Sequence, residues 1–316
     1  MKPFESINKA FNTVFVPGKL SVGIGIPIEN NRMNPIATMQ NHLEKAVLAE
    51  QLGFKALWVR DIPFFVPSFG DAGQVYEPLS YLSFLAGRTN EIALGTASIA
   101  LPLHHPANIA KAAATVDQLS GGRLLLGVAS GDRPIEYPAM NLPHENRGEL
   151  FRESFQYIRE MAKEYPKFST KNYGTLDGSI DMLPKPCGTK IPMLVTGYSQ
   201  QSVEWNAEHS DGWMNYPMGN YQQEMNIKQW RGIIAEQFKY NKPYMQSLLI
   251  DLHPDDNFQP TPIPLGFRIG ANYLIAYFNT MKEIGINHIG ISLRFNTEDV
   301  TETMKKISQK ILPHFH

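Results

Sequence analysis

The stretch IALGTASIALPLHHPANIAKAAATVDQLSGGRLLLGVASG, residues 92–131, decides the fold. It opens on an apolar run over Ile92–Ile99 that reads as a strand. Pro106 suits the first turn of a helix over Pro106–Leu119, because proline has no N–H to lose there. A second apolar run, Leu124–Ala129, follows as the next strand. Strand, helix and strand in this order make a βα unit of a parallel sheet.

The same alternation extends both ways. Strands are expected over Leu20–Ile26, Lys55–Val59, Pro192–Thr196, Gly212–Tyr216, Ser247–Leu252 and His288–Leu293. Helices are expected over Pro35–Leu52, Glu77–Thr89, Arg147–Lys163, Ser199–His209, Gly219–Tyr240, Ala271–Ile284 and Thr297–Ile311. Eight βα pairs without a linker or an internal repeat favour a closed (β/α)₈ TIM barrel over an open doubly wound sheet. The expected organisation is one α/β domain over 1–316, with an N-terminal extension at 1–19. A polar insertion with short strands, 166–186, lies between the fourth helix and the fifth strand. A barrel carries its chemistry on the loops that follow the strands.

Bulk properties narrow the classes. The 316 residues are 43% hydrophobic and 19% charged, enough to fill a large core. A net charge of -1 with scattered Lys and Arg leaves no basic footprint for nucleic acid. No apolar run approaches the ~20 residues that span a bilayer, and the N-terminus lacks a signal-peptide pattern. A soluble cytoplasmic protein is expected. Cys187 is the single cysteine, so no internal disulfide forms and no thiolate metal site is expected. His104 and His105 are adjacent and lack the spacing of a zinc helix, and no nucleophile elbow or P-loop occurs.

Candidate site residues sit just after the strands. The third strand carries Gly95-Thr96-Ala97-Ser98 and the fourth Ala129-Ser130-Gly131-Asp132, small residues that let a flat ligand approach the backbone. The fifth runs into Gly197-Tyr198-Ser199-Gln200-Gln201-Ser202, where two hydroxyls flank a helix start. Such a start suits a phosphate, while the plainer reading makes Ser199 an N-cap. Aromatic residues Phe64, Phe65, Phe69 and Tyr76 after the second strand, and Trp213 and Tyr216 at the sixth, either line an apolar substrate pocket or seal the barrel top.

Residues Leu94–Pro106 resemble the third-strand segment of bacterial luciferase and its relatives, and Val116–Arg123 resembles the LD-x-LS-x-GR turn of that family. Ala49–Val59, Pro184–Pro186, Pro192–Gly197, Ala207–Trp213 and Gly285–Gly290 fit its patterns in order, so the resemblance covers the chain from about Leu20 onward. It implies a barrel that binds reduced FMN or, in some branches, the deazaflavin F420. It also implies a non-proline cis peptide at Ala97–Ser98. The family's phosphate contacts carry over to Ser199, Ser202, the backbone of Tyr198 and Arg147, with Gly131 and Gly197 beside them. A second phosphate arginine of the family falls at Ser130, a departure that leaves the phosphate grip with one fewer cation unless Arg133 reaches in. The position of the family's catalytic histidine is Asp61, and that of its reactive cysteine is Ala129. Neither light emission nor the luciferase substrate is therefore expected, and Asp61 is either catalytic or a loop cap.

What the resemblance implies is a two-component monooxygenase. It would take reduced FMN from a separate NAD(P)H:flavin reductase and oxygenate a small organic molecule, as a homodimer. The alternatives are an F420-dependent oxidoreductase on the same fold and a non-catalytic flavin-binding protein.

Overall fold

The computed structural model describes residues 2–31 and 33–315; Met1, Arg32 and His316 lie outside the described residues. Eight parallel strands close into a barrel: β1 (Ser21–Gly25), β2 (Ala56–Val59), β3 (Ala93–Thr96), β4 (Leu124–Ala129), β5 (Met193–Thr196), β6 (Gly212–Asn215), β7 (Tyr244–Leu252) and β8 (His288–Ser292). The ring closes through β8 and β1, with Ser21 opposite His288 and Ile24 opposite Ile291. Eight helices follow the strands: α1 (His42–Gln51), α2 (Pro78–Ala86), α3 (Pro106–Ser120), α4 (Arg147–Glu160), α5 (Val203–His209), α6 (Asn220–Gln237), α7 (Ala271–Ile284) and α8 (Val300–Lys310). Among the described residues, no helix is long and apolar enough to cross a membrane.

The (β/α)₈ barrel expected from sequence is the observed fold. The stretch that decided it behaves as its composition dictates. Pro106 opens α3, the His105 ring accepts from the Ala107 N–H at 3.2 Å, and Gly121 ends the helix in the left-handed region at φ 66°. The expected third strand is split: β3 stops at Thr96 and Ile99–Ala100 resumes pairing with β4. Between them the Ala97–Ser98 peptide is cis, as the resemblance implied.

Trp58 fills the barrel interior, and its bulk explains the small residues around it. A Cβ at Gly95 would come within 2.3 Å of the indole, and one at Gly23 within 2.7 Å of both Trp58 and His288. Below Trp58, a short helix over Lys9–Val14 closes the N-terminal mouth of the barrel. Its Phe11 and Val14 pack with Ala56, Trp58, Ala93, Leu125 and Leu194 in one apolar cluster.

Two expectations are corrected and one element is new. The helix read over Pro35–Leu52 begins only at His42, because Met39 and Asn41 are held at positive φ while Glu29 accepts from Thr38 Oγ1 at 2.6 Å and from the Met39 N–H at 3.1 Å. The helix read from Ser199 begins at Val203, with Ser199 and Gln200 left-handed ahead of it. A hairpin of Thr261–Ile263 and Gly266–Ile269, unread in the sequence, lies between β7 and α7 and pairs with β7. The insertion holds a hairpin of Lys167–Ser169 and Thr175–Asp177.

Arg123, in the turn before β4, is 2% exposed. Its guanidinium donates to the carbonyls of Ala86, Thr89, Ile92 and Ser120 and to Thr89 Oγ1, all at 2.8–3.0 Å. It therefore ties α2, β3 and α3 together. Arg123→Met keeps the volume and strands these acceptors, so urea unfolding should show a loss of about 3–5 kcal/mol. A loss below about 1 kcal/mol would contradict this role.

Candidate functional site

A cavity of about 420 Å³ opens at the C-terminal mouth of the barrel. It brings together Asp61, Ala97, Ser98, Ser130, Gly131, Arg147, Gly197, Tyr198, Ser199 and Tyr216, all singled out in the sequence. Arg60, Asp132, Arg133, Glu136, His144, Thr196 and Gln200 also line it.

Each wall is fixed by its own chemistry. Ser98 Oγ and Thr196 Oγ1 hydrogen-bond across the mouth, joining the segment after β3 to the end of β5. The buried Tyr137 hydroxyl donates to the Ser130 carbonyl and steadies the turn after β4. The turn after β5 docks on the start of α4, where Gln201 Nε2 donates to the Gly148 carbonyl at 2.9 Å. Ser199 Oγ donates back to the Thr196 carbonyl at 2.8 Å, so its hydroxyl shapes the turn. Ser202 is the residue that caps α5, accepting from the Trp205 N–H at 3.1 Å, and it is not part of the cavity lining.

The aromatic residues do not gather as expected. Trp213 is 1% exposed within the core, where its Nε1 donates to the Gly197 carbonyl at 2.6 Å. It supports the wall from behind. Phe64, Phe65 and Tyr76 are exposed on the segment after β2 and lie outside the lining. Only Tyr216 of this group reaches the cavity. A β-strand alternates its faces, and the sequence alone does not say which aromatic falls inward once loops intervene.

The charges sort into satisfied and unsatisfied groups. Asp61 Oδ2 accepts from the Ala100 N–H at 3.0 Å and pairs with His104 Nε2 at 2.7 Å. Arg60 pairs with Asp71 at 2.6 Å. Glu136 is buried; burial, reinforced by the charges of Asp61 and Asp132, raises its carboxyl pKa against the pull of Arg133. Arg133 is 4% exposed, lies 4.9 Å over the Phe69 ring, and leaves Nη1 without a partner. Arg147, the first residue of α4, donates Nη1 only to the His144 carbonyl, at 3.1 Å. Neither has a carboxylate within ion-pair distance among the described residues. Two guanidiniums that form no ion pair among the described residues, on a cavity that Asp132 and Glu136 also line, suit a phosphate-bearing ligand beside small-residue turns. Sequence reading named Arg147 and pointed to Arg133. Glu136 and Thr196 went unread, since a lone Glu or Thr after a strand carries no spacing signal.

The profile of luciferase-like monooxygenases matches residues 20–251. The alkanal monooxygenase beta chain of Photorhabdus luminescens is 38% identical over 147 residues, 44% of this chain and 43% of that one. The F420-dependent glucose-6-phosphate dehydrogenase of Amycolatopsis mediterranei is 30% identical over 178 residues, 54% of this chain and 52% of that one. The match thus spans about half the length of these relatives or less. The oxygenating constituent of 3,6-diketocamphane monooxygenase from Pseudomonas putida, solved with FMN, superposes with a TM-score of 0.74 at 15% identity, covering 94% of this chain and 99% of that one.

The Asp61–His104 pair predicts a pH dependence. Burial opposes protonation of His104, but the hydrogen bond and charge of Asp61, with the charge of Glu77, outweigh it and raise the pKa. The stability from this pair is therefore full below the ordinary histidine value of ~6.5 and is lost as pH rises through the raised value. In Asp61→Asn, burial acts unopposed by its main counterweight. An NMR titration should then place the His104 pKa below that of the native protein, and an unchanged value would refute the pairing.

Proposed function

This chain belongs to the luciferase-like monooxygenase family, and from that premise we propose that it binds reduced FMN in the 420 Å³ cavity and, with O₂, oxygenates a small organic molecule. The observation that carries the reading is the pair of arginines, Arg133 and Arg147, that line the cavity and have no carboxylate in ion-pair distance among the described residues. An arginine cluster of this kind binds a phosphate through charge-assisted hydrogen bonds. Ala97, Ser98, Ser130, Gly131 and Gly197 are small enough for a flat ring to lie against backbone, and the Tyr198–Ser199 turn adds polar groups near α4. The residues present therefore fit FMN.

When bound, reduced flavin supplies the electrons that activate O₂. The protein's part is to hold and orient. Arg133 and Arg147 grip the phosphate, while Ser202 acts one step back, as the cap of α5. Asp61 is a positioning residue in this reading, because its carboxylate is committed to Ala100 and His104 and fixes the segment after the cis peptide. Glu136, whose carboxyl pKa is raised first by burial, lines the same cavity wall. Because the sequence carries no dinucleotide-binding fingerprint, the reading pairs the chain with a separate NAD(P)H:flavin reductase; by family resemblance it also pairs it with a second copy of itself.

One test supplies reduced FMN and ¹⁸O₂ with a panel of small organic substrates. The reading expects labelled oxygen in a product; quantitative release of peroxide with no labelled product contradicts it. The second reading, F420-dependent hydride transfer, is favoured by the Amycolatopsis relative. Equilibrium titration separates the two: tighter binding of FMN than of F420 supports the first, and the reverse order supports the second. Arg147→Met and Arg133→Met should each weaken FMN binding by tenfold or more, about 1.4 kcal/mol, when followed by flavin fluorescence. Unchanged affinity in both variants would remove the phosphate assignment.

A further inference from the structure

A second cavity, about 110 Å³, adjoins the first at the mouth of β1, β2 and β8. The two share Arg60 and Ala97 as common wall. Its volume is on the order of ten waters, which sets the size of a guest at a few carbon atoms. Trp58, Ile26, Pro27 and Ile291 give it apolar sides.

The charges at its rim do not cancel. Among the described residues, Arg60, Arg294 and Asp71 are the charged groups that line it. Asp71 accepts from Nη1 of both arginines. Burial alone would raise the Asp71 pKa, but the two guanidiniums outweigh it and keep the carboxylate ionised. One anion thus faces two cations. Arg294 Nη2 donates to the Gly70 carbonyl, while its Nε has no partner among the described residues. A small apolar pocket with one surplus guanidinium charge suits an anionic head on a short apolar stem.

We propose that this second cavity is the subsite for the organic substrate and that the substrate is a small organic acid, a carboxylate or sulfonate. The head lies toward Arg294 and Arg60, and the stem lies along Trp58. Ala97, shared by both cavities, sets the stem beside the flavin cavity. Naming the guest a substrate rests on the flavin reading; its binding as an acid does not.

The test titrates butanoate, propane-1-sulfonate and the neutral butanamide into the full-length protein, with and without saturating FMN, by calorimetry and by tryptophan fluorescence. At least one acid should bind tenfold or more tightly than the amide and should still bind when FMN is present. Arg294→Met should erase that preference. Arg294 also anchors Asp71 and Gly70, so Gly25→Val serves as an independent variant. Gly25 lines the cavity, and a Cβ there meets nothing closer than 3.5 Å, so the first added atom is accommodated and the two methyl groups of valine take up space at the cavity wall. Gly25→Val should lose acid binding tenfold or more and keep FMN affinity within twofold. Amide binding equal to acid binding, displacement of the acid by FMN, or acid affinity unchanged in both variants would overturn the proposal. Acid binding without FMN binding would sink the flavin reading alone, and FMN binding without acid binding would sink the subsite alone.

Discussion

Trp58 Nε1 donates to His288 Nε2 at 2.9 Å inside the barrel, and much of the rest is arranged around that bond. An indole N–H can only donate, so Nε2 accepts and, in the neutral ring, the proton sits on Nδ1. That proton faces Ser21 Oγ at 2.6 Å, and the serine hydroxyl donates to the Val14 carbonyl at 2.7 Å. One chain of donors therefore runs from the floor of the second cavity to the helix that plugs the opposite mouth. The indole occupies space that a Cβ at Gly23 or Gly95 would need, so the glycine of the third-strand segment is a packing requirement.

The same constraint divides the top of the barrel. With Trp58 filling the interior, two adjoining cavities of unequal size and different character open near the ends of the strands. The larger is polar, with two arginines that form no ion pair among the described residues. The smaller is mostly apolar, with a surplus cation at its rim. Asp61 and Asp71 lie near this division and spend their charge on His104, Arg60 and Arg294. Buried carboxylates used in this way hold loops in place, because removing either partner would leave an uncompensated charge.

Much of this was legible in the sequence, for physical reasons. The barrel was readable because βα periodicity is local, and β4 and the start of α3 fell where the apolar run and Pro106 put them. The cis Ala97–Ser98 peptide was readable only through resemblance, since nothing in four small residues encodes it. The plug helix Lys9–Val14 was missed because six residues carry too little periodicity; tertiary bonds such as Asn8 Nδ2 to the Leu124 carbonyl at 2.9 Å hold its start. Arg294 was missed because a single charge after a strand looks like any surface residue. Its meaning comes from Asp71, more than two hundred positions away in sequence.

The most direct measurement is a crystal structure of the protein soaked with FMN. The account predicts phosphate density between Arg133 and Arg147 beside the Tyr198–Ser199 turn, with the ring against Ala97 and Ser98 and the 110 Å³ cavity left open. Flavin density elsewhere on the molecule, or a phosphate bound away from both arginines, would contradict it.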